Sequence, residues 1–558
     1  MNGKYTISRL QLYRIILLLI ILISITANIV WILRDTSPAL WDIAGHSQRS
    51  ASIAQLLHAG RLRDVFGFDS IYPPLTYLVT AVGFLLFGLH SDIPQYSFLL
   101  WLVLMLVATY SIANTLYRDR GVALFSTTLL LCYPLLAHFT RIYDLDFPLT
   151  ALVTATIAAL LRTNGFRNRR WVVVTSVCIA LTLLTKWTAV LFLAIPVVSV
   201  VCTTFVQQKS KRRVLVQHIA LALGIILFIA GPWYLVHGST VVSSAQDTRN
   251  NIFSVPYENV LRIDNITYYA RQSANGMAWP LSVLVVIGFI ALFFRKHSQR
   301  FALLAWVIVP YLIMTFALYS KESRYFLPLF PLFAIVSGAG IVSLKNYYRV
   351  GAITTCLILS LFFWTETSWS VRFFPEKFYQ TTHLNQGYGY PVPTTTKPRY
   401  GFTQPTQYHE NLAEVVTAIQ ADLATQETLP ATIRIAVVPN SIFLTAQEIQ
   451  YIARLQNLDS PSNQYTLDFS LSSYIRQGST ISWQENLAAA DYIITKTGDQ
   501  GPKIWGPNLK KIATAEEQHA TPFEQFTVIG TWTLHGIEET DTTMRLYKKT
   551  PTQLTDRE

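Results

Sequence analysis

Charged residues are scarce in this sequence. They make up 14% of its 558 residues, whereas 51% of the residues are hydrophobic and the mean hydropathy is +0.33. Soluble domains carry about a quarter charged residues, so the composition excludes a water-soluble protein and predicts a polytopic membrane protein. The formal net charge of +12 therefore bears first on which loops hold the positive charge, and it does not indicate nucleic-acid binding.

Cysteine is also rare, and all four cysteines lie in hydrophobic runs, so neither a disulfide framework nor a zinc site is expected. A glycine-rich phosphate loop and an internal repeat are both absent, which argues against a nucleotide site and an inverted-repeat transporter. The N-terminal apolar run is too long for a signal peptide and lacks a small-residue cleavage site, so a retained first helix is expected. The cysteines are Cys132, Cys178, Cys202 and Cys356.

Apolar runs long enough to span a membrane, or nearly so, fill the first two thirds of the chain and predict about eleven spans. They cover residues 12–33, 95–116, 121–139, 146–161, 171–185, 187–206, 214–236, 279–294, 301–318, 325–343 and 350–366.

The loops between these runs alternate in charge. One set is basic, and its only acid is Asp119; the other set holds Asp35, Asp42, Asp64, Asp69, Asp92, Asp144, Asp146, Asp247, Glu258, Asp264 and Glu322. The positive-inside rule then predicts a cytoplasmic N-terminus, with the acidic loops outside the cytoplasmic membrane. A crossing by the apolar segment 74–89 would invert this bias, so a re-entrant or interfacial helix is expected there.

The composition becomes polar after Thr367. A linker rich in proline, glycine and tyrosine is predicted over 367–405, and alternating helices and strands predict a small α/β domain with a partly parallel sheet over 406–558. The predicted organisation is a transmembrane domain over 1–366, whose outer loop 34–94 carries the first candidate acid, followed by this linker and an extracytoplasmic domain.

Asp42 is the first candidate for chemistry. It precedes an amphipathic segment, 43–59, that Gly60 would end. Asp is among the best N-cap residues, so Asp42 is either a helix cap or a catalytic acid at the membrane surface.

A second polar cluster follows the third apolar run and contains Arg141, Tyr143, Asp144 and Asp146. Asp144 and Asp146 can bind a divalent metal, although two carboxylates alone are a weak signal. Asp146 can equally cap the helix that contains Pro148. Arg141 is then an interfacial polar group and Tyr143 an aromatic-belt residue.

Two further cations stand out. Lys186 interrupts an apolar hairpin, where it either snorkels beside Trp187 or binds a lipid phosphate. Arg324 either binds phosphate through its planar fork or pairs with Glu322 at the membrane surface.

Six short motifs, in their order along the chain, resemble the GT-C glycosyltransferases of the protein O-mannosyltransferase and lipid A aminoarabinose transferase superfamily. The resemblance covers roughly residues 10 to 345. The Trp-Trp-Asp-Tyr-Gly motif of oligosaccharyltransferases is absent, which argues against that branch. The motifs are Trp41-Asp42, Pro73-Pro74-Leu75-Thr76-Tyr77-Leu78, Leu86-Phe87-Gly88, the segment from Arg141 through Tyr143 and Asp146 to Leu149, Leu184-Thr185-Lys186, and the segment from Arg324 to Pro331.

The resemblance implies a GT-C fold and transfer of a sugar from polyprenyl phosphate to an acceptor hydroxyl. It implies that Asp42 is the catalytic base, that Asp146 is a second catalytic acid, and that basic residues hold the donor phosphate. Relatives often have Lys or His just before the Pro-Pro pair, and this chain has Tyr72 there. The candidates for phosphate binding are Lys186, Arg324 and Arg141, and those for substrate binding are His46, Tyr72, Tyr143, Asp144 and Tyr325.

A lipid-linked donor also follows from the expected topology, because nucleotide sugars are not supplied outside the cytoplasmic membrane. No cofactor is expected apart from a divalent metal at Asp144 and Asp146, and the sequence leaves the choice among a lipid, glycan or protein acceptor open. A transporter or flippase of lipid-linked sugars is the alternative function, although such a protein would need polar residues along a path across the bilayer.

Overall fold

A computed structural model gives the fold. It describes residues 8–37, 39, 41–68, 71–207, 212–247, 259–294, 300–318, 321–342, 344–369, 371, 373, 375, 392–394, 397–399, 405, 412–441, 444–460, 463–472, 482–501, 508–534 and 542–550. Most of the expected linker, and the loop acids Asp69 and Glu258, lie outside these residues.

Helices form nearly all of the described chain up to Trp369. Among the described residues, six helices are long and apolar enough to cross a membrane, or seven if a helix pair bent by 113° counts as one span. The helices are α1 (Arg9–Arg34), α2 (Trp41–His58), α3 (Leu62–Phe66), α4 (Leu75–Phe87), α5 (Ile93–Tyr117), α6 (Arg120–Leu131), α7 (Pro134–Phe139), α8 (Asp146–Arg162), α9 (Arg169–Leu183), α10 (Ala189–Gln207), α11 (Arg212–Asp247), α12 (Ile263–Ile266), α13 (Tyr268–Gly276), α14 (Trp279–Phe294), α15 (Arg300–Phe316), a 3₁₀ helix (Ser323–Leu329), α16 (Phe330–Val342) and α17 (Asn346–Trp369).

One predicted span is broken in the structure and another changes its helix type, both next to prolines. The run 121–139 divides into α6 and α7 just before Pro134. In the run 325–343, the 3₁₀ helix that contains Pro328 continues directly into α16, and the two together form one of the six long helices. Proline has no N–H to donate, and its ring crowds the preceding turn. The count of about eleven spans stays a prediction.

The short apolar segment after Tyr72 forms α4, a helix of 13 residues. It packs against α2 and α5, and its first N–H, that of Leu75, donates to the carbonyl of Leu184 at 2.9 Å. A helix this short rises only about 20 Å, which is less than the hydrocarbon thickness of a bilayer. The re-entrant or interfacial placement stays a prediction.

The C-terminal part is a sheet domain, defined here as the described residues from Leu412 to Thr550. Five of its strands form one sheet in the order β4-β3-β5-β7-β6, in which β3 runs parallel to β4 and β5, and β7 runs antiparallel to β5 and β6. Its elements and the short hairpin before it are β1 (Val392–Thr394), β2 (Lys397–Arg399), α18 (Leu412–Ala424), β3 (Thr432–Val437), α19 (Ala446–Leu455), β4 (Thr466–Asp468), α20 (Trp483–Ala488), β5 (Tyr492–Lys496), α21 (Leu509–Glu517), β6 (Phe526–Leu534) and β7 (Thr542–Lys549).

Alternating burial explains the layers of this domain. Ile433 and Ile435 on β3 join an apolar cluster with α18 and α19 on one face, whereas Ala436 joins a cluster with α21 on the other face. Successive strand residues point to opposite faces, so one strand contributes to both clusters. The predicted combination of a helical membrane protein with a partly parallel C-terminal sheet domain is confirmed.

Candidate active site

Six ionisable side chains from four distant segments meet beside the start of α8. They are called the charge cluster here. Its four carboxylates outnumber its two cations, and most of these side chains are buried. The members are Asp42 from α2, Asp144 and Asp146 from the start of α8, Lys186 from the α9–α10 loop, and Glu322 and Arg324 from the start of the 3₁₀ helix.

Arg324 lies at the centre of the charge cluster. Its Nη2 is 2.9 Å from Asp42 Oδ2, its Nε is 2.6 Å from Glu322 Oε2, and its Nη1 donates to Asp144 Oδ2. Asp146 Oδ2 is 3.7 Å from Nε. The planar guanidinium with five N–H donors can bind several carboxylates at once, which a lysine ammonium does less well. The expected pair with Glu322 is therefore present together with three other acids.

Lys186 forms the second cationic contact. Its Nζ donates to Asp146 Oδ1 at 2.7 Å, and the exposed fractions of the two side chains are 8% and 2%. Burial alone would lower the pKa of Lys186, but the carboxylates of Asp146 and Asp144 and the Tyr72 phenol raise it above its usual value. The buried ion pair argues against snorkelling, which would place the ammonium in water.

Asp42 differs from the buried acids because its side chain is 49% exposed, against 2% for Asp144 and for Asp146. The helix begins at Trp41, so Asp42 lies inside the first turn of α2 and not ahead of it. Burial against the surrounding protein would raise the pKa of the Asp42 carboxyl, but the charge of Arg324 lowers it below the usual value. Asp42 is thus an ionised carboxylate that solvent can reach.

The two acids at the start of α8 have different local roles. The backbone N–H of Asp146, the first residue of α8, donates to Asp144 Oδ1 at 3.1 Å. The carboxylate that accepts from the start of α8 is therefore that of Asp144, not that of Asp146. The side chain of Asp146 pairs with Lys186 instead. Burial would raise the pKa of Asp144, but Arg324 and Lys186 lower it well below its usual range.

The oxygens of Asp144 and Asp146 are partly paired with cations. Arg324 pairs with Asp144 Oδ2 and Lys186 with Asp146 Oδ1, whereas Mg²⁺ or Ca²⁺ takes about six or more oxygen ligands. Among the described residues, no group of three His, Cys, Asp or Glu side chains is arranged to hold a metal. A divalent metal at Asp144 and Asp146 stays a prediction.

Two tyrosines flank Lys186. The ring centroids of Tyr72 and Tyr325 lie 5.8 Å and 5.2 Å from its Nζ, and the Tyr325 hydroxyl donates to Glu322 Oε1 at 2.8 Å. An aromatic face near an ammonium is a favourable electrostatic contact. Tyr72 stands where the sequence resemblance leads to an expected Lys or His. Its ring lies beside the Lys186 ammonium, and as a neutral phenol it adds no charge to the charge cluster.

His46 and Tyr143 join the elements around the site. His46 Nδ1 lies 2.9 Å from the Tyr77 hydroxyl, and the Tyr143 hydroxyl is hydrogen-bonded to Ser50 at 2.7 Å and to Thr80 at 2.9 Å. Burial lowers the pKa of His46 to about 4, so the imidazole is neutral at neutral pH. These bonds fasten α2 to α4 and α8. The substrate-binding roles expected for His46 and Tyr143 stay predictions.

Arg141 lies apart from the charge cluster. Its Nε donates to Asn28 Oδ1 at 3.1 Å and its Nη2 to Ser368 Oγ at 3.2 Å, while its guanidinium lies 5.2 Å from the Trp31 ring centroid. These contacts join α1, the end of α7 and α17. The structure thus brings Lys186 and Arg324 together but does not bring Arg141 to them, and its phosphate-binding role stays a prediction.

The features above define a class of protein: a polytopic helical membrane protein with a buried charge cluster beside one accessible carboxylate, and with a C-terminal sheet domain. Residues 72–244 match the profile of a family described as Dolichyl-phosphate-mannose-protein mannosyltransferase. This segment includes Tyr72, Asp144, Asp146 and Lys186, whereas Asp42 and Arg324 lie outside it. No curated protein matches the chain.

Solved structures with this fold are ArnT from Cupriavidus metallidurans in two states. ArnT bound to undecaprenyl phosphate is 16% identical with a TM-score of 0.53, and apo ArnT is 17% identical with a TM-score of 0.54; each comparison covers 95% of this chain and 97% of that chain. The oligosaccharyltransferase of Archaeoglobus fulgidus is 10% identical, covers 86% of this chain and 67% of that chain, and has a TM-score of only 0.47. The chain thus has the GT-C fold of ArnT, and the resemblance seen in the sequence is confirmed.

Proposed function

We propose that this protein is a membrane glycosyltransferase that transfers a sugar from a polyprenyl-phosphate donor to an acceptor hydroxyl, with inversion, on the outer side of the cytoplasmic membrane. The observation that carries this proposal is the charge cluster. One accessible carboxylate, Asp42, lies within hydrogen-bond distance of an arginine that two buried aspartates also bind. A base and a phosphate-binding cation are the two groups that this transfer requires.

The chemistry is a single in-line displacement at the anomeric carbon. The Asp42 carboxylate takes the proton of the acceptor hydroxyl, the acceptor oxygen forms the new glycosidic bond, and the bond to polyprenyl phosphate breaks with its electron pair on the phosphate. Polyprenyl phosphate is a good leaving group, so no second carboxylic acid need protonate it, unlike in glycoside hydrolysis. Attack opposite the leaving group inverts the anomeric carbon.

Lys186 and Arg324 are the proposed donor-phosphate ligands. Both are held beside the exposed Asp42, and both are already paired with carboxylates, so the phosphate must share them with Asp144 and Asp146. Asp146 then acts by holding Lys186 in place, a role that replaces the second catalytic acid expected from the sequence. Support for a lipid-linked donor comes from the mannosyltransferase family match and from the fold of ArnT, which has been solved with undecaprenyl phosphate.

The test is the Asp42→Asn variant in detergent, with polyprenyl phosphates that carry radiolabelled hexoses or pentoses. Loss of the general base should reduce the rate of sugar release from polyprenyl phosphate by about 10²- to 10⁴-fold. The folded yield should be nearly unchanged, because Asn has the size of Asp and its amide oxygen can still accept the hydrogen bond from Arg324. A wild-type rate in Asp42→Asn would show that Asp42 is not the base.

Asp64→Asn is the matched control. Asp64 lies in the same outer segment, but its side chain is 45% exposed and pairs with Arg61 at 2.6 Å, away from the charge cluster. Its replacement should leave the rate of sugar release unchanged.

Two further readouts separate the competing functions. A transporter of lipid-linked sugars would move the labelled lipid across a vesicle membrane while the bond between sugar and phosphate stayed intact. Mass spectrometry of envelope glycoconjugates from cells with and without the protein would identify the acceptor as lipid, glycan or protein.

A further inference from the structure

The sheet domain contacts the very start of the helix that carries Asp42. The backbone N–H of Trp41 donates to Glu448 Oε1 at 2.7 Å, and its indole N–H donates to the backbone carbonyl of Ser441 at 3.1 Å. Trp41 precedes Asp42 directly. Both hydrogen bonds therefore join the sheet domain to the residue next to the proposed base.

Glu448 serves two helices at once. Within the sheet domain it completes a capping box, in which its other carboxylate oxygen, Oε2, accepts from the backbone N–H and the hydroxyl of Thr445 at the start of α19. Its Oε1 accepts from the first N–H of α2. The first N–H groups of a helix lack partners inside the helix, so one carboxylate satisfies orphan donors from both parts of the molecule.

The backbone at Trp41 needs such support. Its φ is +40°, in the left-handed region that side chains other than glycine seldom adopt. Conformations of this kind persist when surrounding contacts hold them, and they concentrate at functional sites. The hydrogen bonds to Glu448 and Ser441 give Trp41 such support from the sheet domain.

The contact at Trp41 is part of a larger packed interface between α19 and α2. Tyr451 is buried in one apolar cluster with Ala44, Ala51 and Tyr77, which belong to α2 and α4. Arg454 Nη1 donates to Gln55 Oε1 at 3.0 Å further along the same interface.

A glycine sets the approach of the two helices. A Cβ at Gly45 would lie 3.3 Å from the Gln447 side chain, which is tighter than ordinary contact. Glu448 itself is 1% exposed, and burial raises its pKa to about 7.

We propose that Glu448 is a positioning residue for Asp42: by capping Trp41 from the sheet domain, it holds the first turn of α2 in the geometry that directs the base toward the acceptor. The sheet domain is then part of the active-site structure. This inference rests on the proposed function for its kinetic consequence, but its structural content can be measured without any substrate.

The kinetic test uses Glu448→Ala and Glu448→Gln. Glu448→Ala should lower kcat about tenfold and leave KM for the donor within about twofold, because a misplaced base slows the chemical step without touching the phosphate ligands. Glu448→Gln should recover only part of kcat, because its single amide oxygen can accept from Trp41 or from Thr445 but not from both.

The matched control is Glu485→Ala. Glu485 forms an equivalent capping box with Ser482 at the start of α20, and its hydrogen bonds there stay within that helix start. The control removes the same chemical group from the same domain but leaves the hydrogen bond between Glu448 and Trp41 in place. It should therefore leave kcat unchanged. Equal losses of kcat in Glu448→Ala and Glu485→Ala would overturn the proposal, and so would a wild-type kcat in Glu448→Ala.

Hydrogen exchange measured by mass spectrometry gives the substrate-free readout. The amides of residues 41–48 should exchange faster in Glu448→Ala than in the wild type or in Glu485→Ala, and unchanged exchange there would overturn the proposal. If the wild type shows no transfer with any donor, the proposed function fails while this measurement still decides the inference. Should Glu448→Ala not fold, Glu448→Asp keeps the charge but shortens the side chain by one methylene, so its carboxylate should no longer reach both Thr445 and Trp41, and exchange over the same residues should rise.

Discussion

Two places in the helical region pair an arginine with an aspartate far away in the sequence, and they differ in composition. At one end of α5, Asp119 Oδ2 is 2.5 Å from Arg349 Nη2, and the Asp119 side chain also caps α6 through the N–H of Val122. Near the other end of α5 lies the charge cluster, where Arg324 has four carboxylates around it.

The difference in charge balance and burial distinguishes a structural ion pair from a candidate active site. The Asp119–Arg349 pair is balanced and partly exposed, and it joins two helix ends, which accounts for both residues. The charge cluster has more acids than cations, buries most of them, and leaves one at the surface. Burying charges that are not fully compensated costs several kcal/mol, and buried charged clusters of this kind are concentrated at functional sites.

Among the variants that compare the two ion-pair sites, Lys186→Met should have the largest effect, because it removes the lysine that pairs with the buried Asp146. Breaking a buried pair from one side costs about 3–5 kcal/mol, and loss of a phosphate ligand should slow transfer by about 10²- to 10³-fold. Thermal unfolding in detergent and the rate of sugar release measure the two effects.

The double variant Lys186→Met/Asp146→Asn sharpens this result. It removes the unpaired charge, so thermal stability should return toward the wild type, whereas transfer should stay slow. Recovery of transfer together with stability would mean that Lys186 is only a structural partner and that the charge cluster resembles the Asp119–Arg349 pair after all.

Arg324→Lys should have an intermediate effect. A lysine keeps the charge but loses the fork that contacts several carboxylates, and one charge-assisted hydrogen bond is worth about 1.5–3 kcal/mol, or roughly 10- to 100-fold in rate. Arg324 lowers the pKa of Asp42, so the substitution should raise that pKa. The base must be ionised, and the acid limb of the rate–pH profile should therefore move to higher pH. An acid limb that stays in place would separate Arg324 from the function of Asp42.

Arg349→Met should have the smallest effect. The pair it breaks is partly exposed, and such pairs contribute up to about 1 kcal/mol. Sugar release should proceed at the wild-type rate, and the unfolding temperature should fall by a few degrees at most. A loss of transfer as large as that of Lys186→Met would remove the distinction between the two places.

Much of the site could be predicted because short motifs carry it. Asp42, Asp146, Lys186 and Arg324 were each expected near one membrane surface, and the structure places all four in one charge cluster. Their pairing could not be predicted, since nothing local indicates that Lys186 binds Asp146 or that Arg324 reaches Asp144. The expectation for Arg141 rested on the same kind of motif, but in the folded protein its side chain is hydrogen-bonded to Asn28 and Ser368, apart from the charge cluster.

The fold, like the site, has features that local sequence patterns predict and features that they do not. Hydropathy located the apolar helices and the alternation of helices and strands over 406–558, because long periodic patterns report burial directly. A strand such as β4, with three residues, is too short to show a period. The contact of Trp41 with Glu448 spans 407 residues and depends on the docking of two separately patterned regions, so no stretch of the sequence indicates it.

The thiols offer a practical route into the topology. All four cysteines are unpaired, and Cys202 is the only one with an exposed side chain. Cys202 lies in α10, a candidate membrane span, so replacing all four cysteines by serine is the direct way to a background without thiols for membrane-impermeant maleimides. Single cysteines introduced at Asp64 and at Arg169 could then be labelled from either face of sealed vesicles. The labelling would show directly on which side of the membrane each loop lies, and so test the topology predicted from loop charge.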